Sequence, residues 1–206
     1  MRKKNLYIYT AGLILLIGSF AFMNSGCKDK ENEEITVLLC DGNGSSSLWP
    51  ADIGNRWTYE VVKDGVKDTT TGRLHNFKDS TFLNTKYFGV ESYVSFWGVQ
   101  HYYRTDASTG DLILFHPSNY KEYLECPGDP VLGSRWSYYF STREVTGVNV
   151  SLSTPYCEYT GLTEITQDGS NIDKVIYYKK GLGIVKQISY GGLYNKFEYT
   201  LKEVSF

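Results

Sequence analysis

The stretch RWTYEVVK, residues 56–63, decides the fold class because its side chains alternate in character. Trp57, Tyr59 and Val61 share one side of an extended chain, whereas Thr58 lies on the other side together with a glutamate. Alternation with a period of two is typical of a β-strand that is buried on one face only. The sequence therefore predicts a half-buried strand at this position.

The same alternation recurs to the end of the chain, most clearly in KFEYTLK, residues 196–202. No helical stripe of useful length follows the N-terminal segment. The sequence therefore predicts an all-β fold of about ten antiparallel strands in a meander, forming a curved sheet, a sandwich or a partly open barrel. The predicted strands are separated by turn sequences whose residues readily adopt the positive φ of tight hairpins. These turns are at Asp64-Gly65, 106–110, Asp168-Gly169 and Gly191-Gly192.

A seven-residue pattern occurs twice in the chain. IGNRWTY, residues 53–59, returns as LGSRWSY, residues 132–138. The spacing is too long for a solenoid repeat and indicates two related halves, about 48–125 and 126–206. In each copy a glycine would let the chain turn into a strand whose tryptophan and tyrosine enter the core together. The residues with this predicted structural role are Gly54, Trp57, Tyr59, Gly133, Trp136 and Tyr138.

These motifs resemble those of a family of uncharacterised bacterial lipoproteins. Its members are lipid-anchored and all-β, with P-x-x-x-G-x-x-W-x-Y near the mature N-terminus, a second copy in mid-chain and Y-x-x-G-x-G-x-V-K near the end. Here the first pattern begins at Pro50, and the second copy has Asp129 where the proline would fall. The last motif comprises Tyr178, Gly181, Gly183, Val185 and Lys186. The resemblance implies a lipid-anchored β-domain without implying a particular activity.

The N-terminus has the layout of a secretory signal peptide. Basic residues at positions 2–4 are followed by an apolar run over 11–23 and then by small residues at 24–26. A basic segment, an apolar segment and a small-residue cleavage site in this order are typical of exported proteins. We therefore expect residues 1–26 to be a signal peptide.

Cys27 lies directly after the small residues, which resembles the lipobox of bacterial lipoproteins. In that family the thiol is acylated and the peptide bond before it is cut, and Asn24 stands where an aliphatic residue is usual. Several acyl chains would hold the protein firmly, since each buried methylene contributes about 0.8 kcal/mol. We therefore expect lipidation at Cys27. A plain secreted protein and an uncleaved membrane anchor are the alternatives.

The residues that follow Cys27 predict a tether and the cellular location of the protein. The polar run KDKENEE, residues 28–34, cannot bury enough apolar surface to offset its ordering entropy. Residues 27–47 are therefore expected to form the lipidated cysteine and its tether, and 48–206 a single all-β domain. A lysine after the cysteine with acidic residues close behind resembles outer-membrane lipoproteins. We expect a protein of the bacterial cell envelope, lipid-anchored to the outer membrane, periplasmic or surface-exposed.

The charge of the exported region argues against nucleic-acid binding. Three of the 21 basic residues lie in the signal peptide, which leaves 18 against 23 acidic residues, a net charge of −5. A net acidic chain without a basic run lacks the electrostatic attraction to phosphates on which nucleic-acid binding depends. The expected partners are instead the membrane, through the lipid anchor, and a glycan, a hydrophobic ligand or an envelope protein.

Three further cysteines follow Cys27, namely Cys40, Cys126 and Cys157. An oxidising compartment permits one disulfide among them, which we expect between Cys126 and Cys157. Their spacing matches no close-set metal motif such as C-x-x-C, and the three histidines are too dispersed to form one. The sequence therefore predicts no metal site and no cofactor.

The stretch KYFGVESYVSFW, residues 86–97, contains the best candidates for ligand binding. Its even positions form an apolar core face, and its odd positions mix aromatic rings with a carboxylate. Aromatic side chains with polar tips on the solvent side of a sheet can stack against a sugar or another flat ligand. The alternative is that another sheet covers this face or that it lines a barrel. The following stretch GVQHYYR, residues 98–104, adds a tyrosine and an arginine, so the candidate ligand-binding residues are Tyr87, Glu91, Tyr93, Trp97, Tyr102 and Arg104.

The expected function is that of a non-enzymatic envelope lipoprotein whose β-domain binds a ligand or a partner. One alternative is a structural or assembly lipoprotein without a small ligand. Another is a hydrolase acting on envelope or extracellular polymer, for which Glu91, Asp106, Glu122 and Glu125 are available carboxylates. The sequence contains no nucleophile elbow and no phosphate-binding glycine loop, so no catalytic residue is predicted.

Overall fold

The computed structural model of the protein describes most of the predicted β-domain. The predicted signal peptide, Cys27, and residues Tyr93 and Trp97 of the predicted binding surface lie outside the described residues. Side chains are described except those of Phe77, Ser92, Gln100 and Ile172. The described ranges are 40–42, 45–68, 72–92, 100–169, 172–191 and 195–206.

Thirteen strands are present within the described ranges. In these ranges no helix is long and apolar enough to span a bilayer. The strands are β1 (Arg56–Lys63), β2 (Val66–Lys67), β3 (Gly72–Phe82), β4 (Thr85–Ser92), β5 (Gln100–Thr105), β6 (Leu112–His116), β7 (Lys121–Cys126), β8 (Arg135–Tyr138), β9 (Ser141–Ser153), β10 (Glu158–Gly169), β11 (Ile172–Lys179), β12 (Gly183–Gly191) and β13 (Asn195–Ser205).

All thirteen strands belong to one antiparallel sheet. The order across it is β7-β6-β5-β4-β3-β1-β13-β12-β11-β10-β9-β8, and β2 pairs with β1 outside this path. The predicted all-β antiparallel fold is confirmed. The sheet differs from a simple meander because the last strand returns beside the first, with Arg56 opposite Ser205. It has more strands than the ten predicted, since hairpin turns such as Leu83-Asn84 contain no glycine and give no clear signal.

The sheet curls until its two edge strands meet, which makes it a partly open barrel. At the junction the indole N–H of Trp136 on β8 donates to the carbonyl oxygen of Leu124 on β7 at 2.8 Å. Among the described residues the backbone ladder does not continue from β7 to β8, so these strands are the ends of the sheet. We call the junction between β7 and β8 the seam.

The barrel interior is built from the alternating side chains that the sequence predicts. Trp57 and Tyr59 on β1 are fully buried, and each also satisfies its polar atom. The Trp57 indole donates to the Leu182 carbonyl at 2.7 Å, and the Tyr59 hydroxyl donates to the Ile184 carbonyl at 2.8 Å. Truncating a buried aromatic side chain of this size costs about 3–5 kcal/mol, so this pair is a major source of stability.

The two copies of the seven-residue pattern adopt the same local structure. Gly54 and Gly133 have φ of 100° and 81°, conformations that residues with a side chain rarely adopt. The N–H of Gly54 donates to the Asn76 carbonyl at 2.9 Å, and that of Gly133 donates to the Val145 carbonyl at 2.8 Å. Gly54 therefore turns the chain into β1 and fastens it to β3, and Gly133 turns the chain into β8 and fastens it to β9.

One end of the barrel is filled by the chain that precedes β1. Leu48 and Trp49 are buried there, and the Trp49 ring lies 4.7 Å from that of Trp57. The Ser47 carbonyl accepts a hydrogen bond from Gly181 N in the β11–β12 turn at 2.7 Å. We call this the closed end. For the opposite end, where the turns at 117–120 and 139–140 lie, we use the name open end as a label only.

The disulfide differs from the prediction. Cys40 pairs with Cys157, with their Cα atoms 5.6 Å apart, and Cys126 is a free, buried thiol. The expected Cys126–Cys157 pairing is therefore wrong. Cys126, at the end of β7, and Cys157, in the loop before β10, both belong to the interior cluster, but the incoming chain brings Cys40 to Cys157. The bond attaches the described end of the predicted tether to the barrel.

Candidate ligand-binding site

A cleft opens at the seam near the open end of the barrel. Its volume is about 340 Å³, within the range of about 300–1,000 Å³ typical of small-molecule sites. We call it the seam cleft, because its lining comes from strands on both sides of the junction. The lining residues are His101, Leu114, His116 and Tyr123 on the β5–β7 side and Tyr138, Tyr139, Phe140, Ser141, Gln167 and Gly169 on the β8–β10 side.

Aromatic rings form the walls of the seam cleft. Tyr123 on β7 faces Tyr138 on β8 across the seam, with ring centroids 5.9 Å apart, and Tyr139 at 5.5 Å. The ring of His116 lies 5.1 Å from that of Tyr139. Because each of these rings combines an apolar body with a polar edge or tip, the walls can contact a flat ligand and also hydrogen-bond to it.

The turn between β8 and β9 extends one wall into solvent. Tyr138 pairs with Ser141, so Tyr139 and Phe140 form a two-residue hairpin turn. Tyr139 has a φ of 56°, and glycine is the usual residue where the first position of such a turn has positive φ. Phe140 is 81% exposed. Two large rings therefore occupy a turn where they cost both strain and apolar exposure, which indicates a role beyond folding.

A buried ion pair supports the floor of the seam cleft. Arg143 on β9 lies 3.1 Å from Glu125 on β7 and also donates to its backbone carbonyl at 2.6 Å. The carboxylate accepts two further hydrogen bonds, from the Tyr138 hydroxyl at 2.6 Å and from the Tyr178 hydroxyl at 2.7 Å. The guanidinium lies 3.4 Å above the ring of Tyr138. The network joins both sides of the seam and fixes Tyr138.

The environment of this pair keeps both members charged. Burial opposes ionisation of Glu125, but the Arg143 charge and the hydrogen bonds from Tyr138 and Tyr178 outweigh it and lower the pKa of the carboxyl. Burial likewise opposes the charge of Arg143, and the Glu125 carboxylate raises the pKa of the guanidinium above its usual value. Burial is the main reason that the pKa of the Tyr138 and Tyr178 hydroxyls is raised, and the nearby Glu125 charge is the second reason. The two residues beneath the lining are therefore a neutral pair of charges, and neither of them is ready to exchange a proton.

A lysine lies on the same interior surface beside this pair. Gln167 on β10 accepts a hydrogen bond from Arg143 Nε at 2.9 Å through its side-chain oxygen. Lys174 on β11 is directly opposite Gln167 in the ladder, so both side chains point to the interior. Burial and the nearby Arg143 charge lower the pKa of Lys174, and Glu125 raises it less. Lys174 therefore lies next to Gln167, which lines the seam cleft, and its charge interacts with those of Arg143 and Glu125.

Two described residues of the predicted binding surface on β4 and β5, Tyr87 and Tyr102, are buried. Tyr87 and Tyr102 do lie on the opposite face from Phe88 and Val90, as expected. They are only 3% and 8% exposed, however, because Phe82 and Phe115 pack against them in a second, outer cluster. The exposure expected of these two tyrosines is therefore corrected, whereas Tyr93 and Trp97 lie outside the described residues.

The charged candidates around that outer cluster are occupied by one another. Arg104 makes a bidentate pair with Glu122, at 2.6 and 3.0 Å, and contacts Asp106 at 3.0 Å. The Tyr87 hydroxyl donates to Glu122 at 2.7 Å. A hollow of about 430 Å³ lies beside them. Its polar groups already satisfy each other, which makes it a weaker candidate than the seam cleft.

The remaining candidate and the motif residues have different places. Glu91 on β4 lies 3.3 Å from His75 on β3, away from the seam cleft. Among the motif residues only Tyr138 lines the cleft, while the others build the turns and the core. No group of three or more histidine, cysteine or acidic side chains in the described part of the chain could hold a metal ion.

Sequence reasoning missed most of the seam cleft. His101, His116 and Tyr123 belong to three neighbouring strands, and they face Tyr138 and Gln167 only because the sheet curls. The one local signal was the pair Tyr139-Phe140, which separates two strand-like runs at a position where a glycine or asparagine is usual. Such a turn without its usual residues points to a selected surface feature.

Comparisons with known proteins give similarity in fold only. No protein family and no curated protein matches this chain. A solved structure of a presumed exported protein with a YmcC-like fold, from Bacteroides fragilis, is similar with a TM-score of 0.47 and 12% identity, over 77% of this chain and 98% of that chain. A presumed lipoprotein from Parabacteroides distasonis has a TM-score of 0.39 and 7% identity, over 78% and 99%. Similarity at this level carries no function to this chain.

Proposed function

We propose that this protein is an exported, lipid-anchored binding protein of the cell envelope that holds a small organic ligand in the seam cleft. The observation that carries the proposal is the cleft itself, with aromatic walls from both sides of the seam and a strained turn that places two rings at its mouth. A concave site with aromatic walls and a few polar groups is the usual form of a small-molecule site. The ligand would have a flat or apolar body, as a sugar ring does.

Export is supported by the disulfide and by the N-terminal sequence. Disulfides persist in oxidising compartments and are rare in the cytosol. The Cys40–Cys157 bond is therefore consistent with the secretory signal of residues 1–26 and with acylation of Cys27. Attachment to the outer membrane is the finer proposal, and it depends on the acidic sequence that follows Cys27.

The position of the disulfide supports a particular presentation of the site. Cys40 is held at the closed end of the barrel, and the seam cleft lies near the open end. The twelve residues 28–39 separate Cys40 from Cys27, so the two Cα atoms could lie at most about 45 Å apart when this segment is fully extended. A protein anchored at Cys27 would therefore keep its closed end within this distance of the membrane, which leaves the cleft free to reach soluble ligands.

Binding without catalysis is supported by the chemistry of the floor. Glu125 has its carboxylate oxygens engaged by Arg143, Tyr138 and Tyr178, and its pKa is lowered. A general acid needs a carboxyl with a raised pKa and an accessible proton. The buried carboxylate of this cleft meets neither condition, so it is better suited to hold the site in shape.

The test is ligand binding by the full-length protein in detergent. A panel of mono- and disaccharides, their acidic and amide forms, and small aromatic acids and amides would be titrated by calorimetry. Phe140→Ala is expected to weaken binding of any hit at least about tenfold, because an exposed aromatic ring at a binding site carries a large share of the binding energy.

The matched control is Tyr190→Ala, which removes an exposed aromatic ring from β12, outside the cleft. It is expected to bind like the unchanged protein. No binding by any panel member, or equal loss in both variants, would refute the proposed function.

A further inference from the structure

We infer that the seam cleft selects a ring-shaped organic anion, whose carboxylate is bound at the inner end by Lys174 and the Gln167 amide. This inference depends on the proposed function, because it names the class of ligand for the same site. Three observations carry it: the balance of interior charges, the balance of donors and acceptors, and the direction of the nearest acidic side chains.

The interior charges beneath the cleft do not balance. Arg143 is matched by Glu125 at 3.1 Å, and that carboxylate is further engaged by two tyrosine hydroxyls. Lys174 interacts with the same pair but makes no ion pair or hydrogen bond with a described residue. A partly buried charge without a partner is costly, so its retention indicates that a negative group joins it at least part of the time.

The polar groups at the inner end of the cleft are mainly donors. Gln167 uses its oxygen to accept from Arg143, so its side-chain NH₂ group remains to donate. Nearer the mouth, the Tyr123 hydroxyl accepts from Asn119 of the exposed 117–120 turn at 2.9 Å and keeps its own proton to donate. The nearest carboxylate, that of Glu125, already accepts from three side chains. A ligand group that accepts several hydrogen bonds, such as a carboxylate, would satisfy these donors.

The acidic residues of β10 and β11 near the cleft point the other way. Asp168 and Asp173 neighbour Gln167 and Lys174 in sequence, and alternation along each strand turns them to the outer surface, where both are exposed. Their charges are therefore screened by water, whereas that of Lys174 is partly shielded from it. The local field at the inner end remains favourable for an anion.

The walls define the rest of the ligand. Tyr138 and Tyr123 lie on the two sides of the seam, with ring centroids 5.9 Å apart, and Phe140 extends the wall to the mouth. These two rings touch each other edge to face, so a ligand ring would lie against the wall that they form, with a carboxylate substituent towards Gln167. Both an acidic sugar and an aromatic acid have this chemistry, and titration with one pair of probes for each kind of ring distinguishes them.

The experiment compares acids with their neutral amides on the full-length protein in detergent. Glucuronate is titrated against glucuronamide, and benzoate against benzamide, by calorimetry at pH 7. At least one acid is expected to bind at least about tenfold more tightly than its amide, because the charge-assisted hydrogen bond to Lys174 is lost with the charge. A preference for glucuronate would identify a sugar ring, and a preference for benzoate would identify an aromatic ring.

Substitutions at Lys174 assign the effect to this residue. Lys174→Gln is expected to make acid and amide bind equally, and Lys174→Arg to restore most of the preference for the acid. Lys202→Gln removes the same charge from a lysine that is 40% exposed on β13 and should leave the preference intact.

The possible results separate this inference from the proposed function. If an amide or another neutral sugar binds as tightly as its acid and Phe140→Ala still abolishes binding, the cleft is a binding site and the anion inference is overturned. The anion inference is also overturned if Lys174→Gln keeps the full preference for the acid. Absence of binding by every probe would overturn both the inference and the proposed function.

Discussion

Glu125 and Arg143 show how a single pair of residues can determine the shape of the site. A buried ion pair adds little net stability, because desolvation of the two charges offsets their attraction. Here Glu125 also accepts hydrogen bonds from the hydroxyls of Tyr138 and Tyr178, and the Arg143 guanidinium lies over the Tyr138 ring. The position of Tyr138 in the cleft wall is therefore fixed by polar contacts from β7 and β9.

Glu125→Gln is expected to lower the free energy of unfolding by about 3–5 kcal/mol at pH 7, because it leaves Arg143 charged and unpaired in the interior. Urea unfolding followed by fluorescence measures the change. Glu144→Gln is the matched control, since it breaks an exposed pair with Arg135 and should cost at most about 1 kcal/mol. Equal costs in the two variants would contradict the assigned importance of the buried pair.

The stability difference between the unchanged protein and Glu125→Gln should depend on pH. The pKa of Glu125 is lowered in the folded protein, so its contribution is present above the unfolded value of about 4.3 and is lost as the pH falls through the folded value. The difference between the unchanged protein and Glu125→Gln should therefore shrink in acid. A difference that is constant from pH 7 to pH 3 would be inconsistent with the lowered pKa.

At the residue scale, the sequence could identify Trp57 and Tyr59 but not the partner of Glu125. The two aromatic residues stand in an alternating pattern that marks them as core on local grounds. Glu125 is one acidic residue among 23, and its contacts with Arg143 and Tyr178 depend on which strands become neighbours across the seam. Long-range juxtaposition of this kind leaves no mark in local periodicity.

At the scale of elements, the turn between β11 and β12 illustrates a glycine required by close approach. Gly183 has a φ of 82°, and a Cβ placed on it would lie 2.6 Å from the ring of Trp49. Gly181 in the same turn donates its N–H to the Ser47 carbonyl. The glycines of the C-terminal motif therefore allow the chain before β1 to pack against the turn and fill the closed end.

Gly183→Ala is expected to destabilise the protein by about 2–5 kcal/mol, which combines the strain of a positive φ with overpacking against Trp49. Thermal or urea unfolding measures the effect. Gly191→Ala, at a glycine with open space around it and no positive φ, should change stability by no more than about 1 kcal/mol. If Gly183→Ala were as mild as this control, the packing assigned to the closed end would be wrong.

The strands themselves were predictable from the sequence, whereas the seam was not. β1 and β13 show the alternation of residues buried on one face, and Asp64-Gly65 marks the hairpin between β1 and β2. The seam arises because the sheet curls until β7 and β8 approach without pairing. Curvature accumulates from the twist of every strand, so no single stretch of sequence specifies it.

At the scale of the whole molecule, the barrel has two ends with different roles. The chain before β1 fills the closed end, where the disulfide between Cys40 and Cys157 spans 117 positions of sequence. The seam cleft lies near the other end. The expected tether therefore leaves from the face opposite the proposed binding site, and the disulfide fixes that point of departure.

The thiols provide the last test, because their reactivity reports both the disulfide and the anchor. Unfolding the protein without reductant should expose Cys126 alone to iodoacetamide if Cys27 is acylated, and Cys27 as well if it is not. In the native protein Cys126 should resist labelling, because it is buried and burial raises the pKa of its thiol.

The disulfide itself is tested by its effect on stability. Cys40→Ser and Cys157→Ser should each lower the free energy of unfolding by about 2–5 kcal/mol, and the double variant by no more than either, since all three remove the same loop closure. Labelling of Cys40 while Cys126 is protected would instead support the Cys126–Cys157 pairing that the sequence predicted. In that case no disulfide would hold the chain before β1 at the closed end.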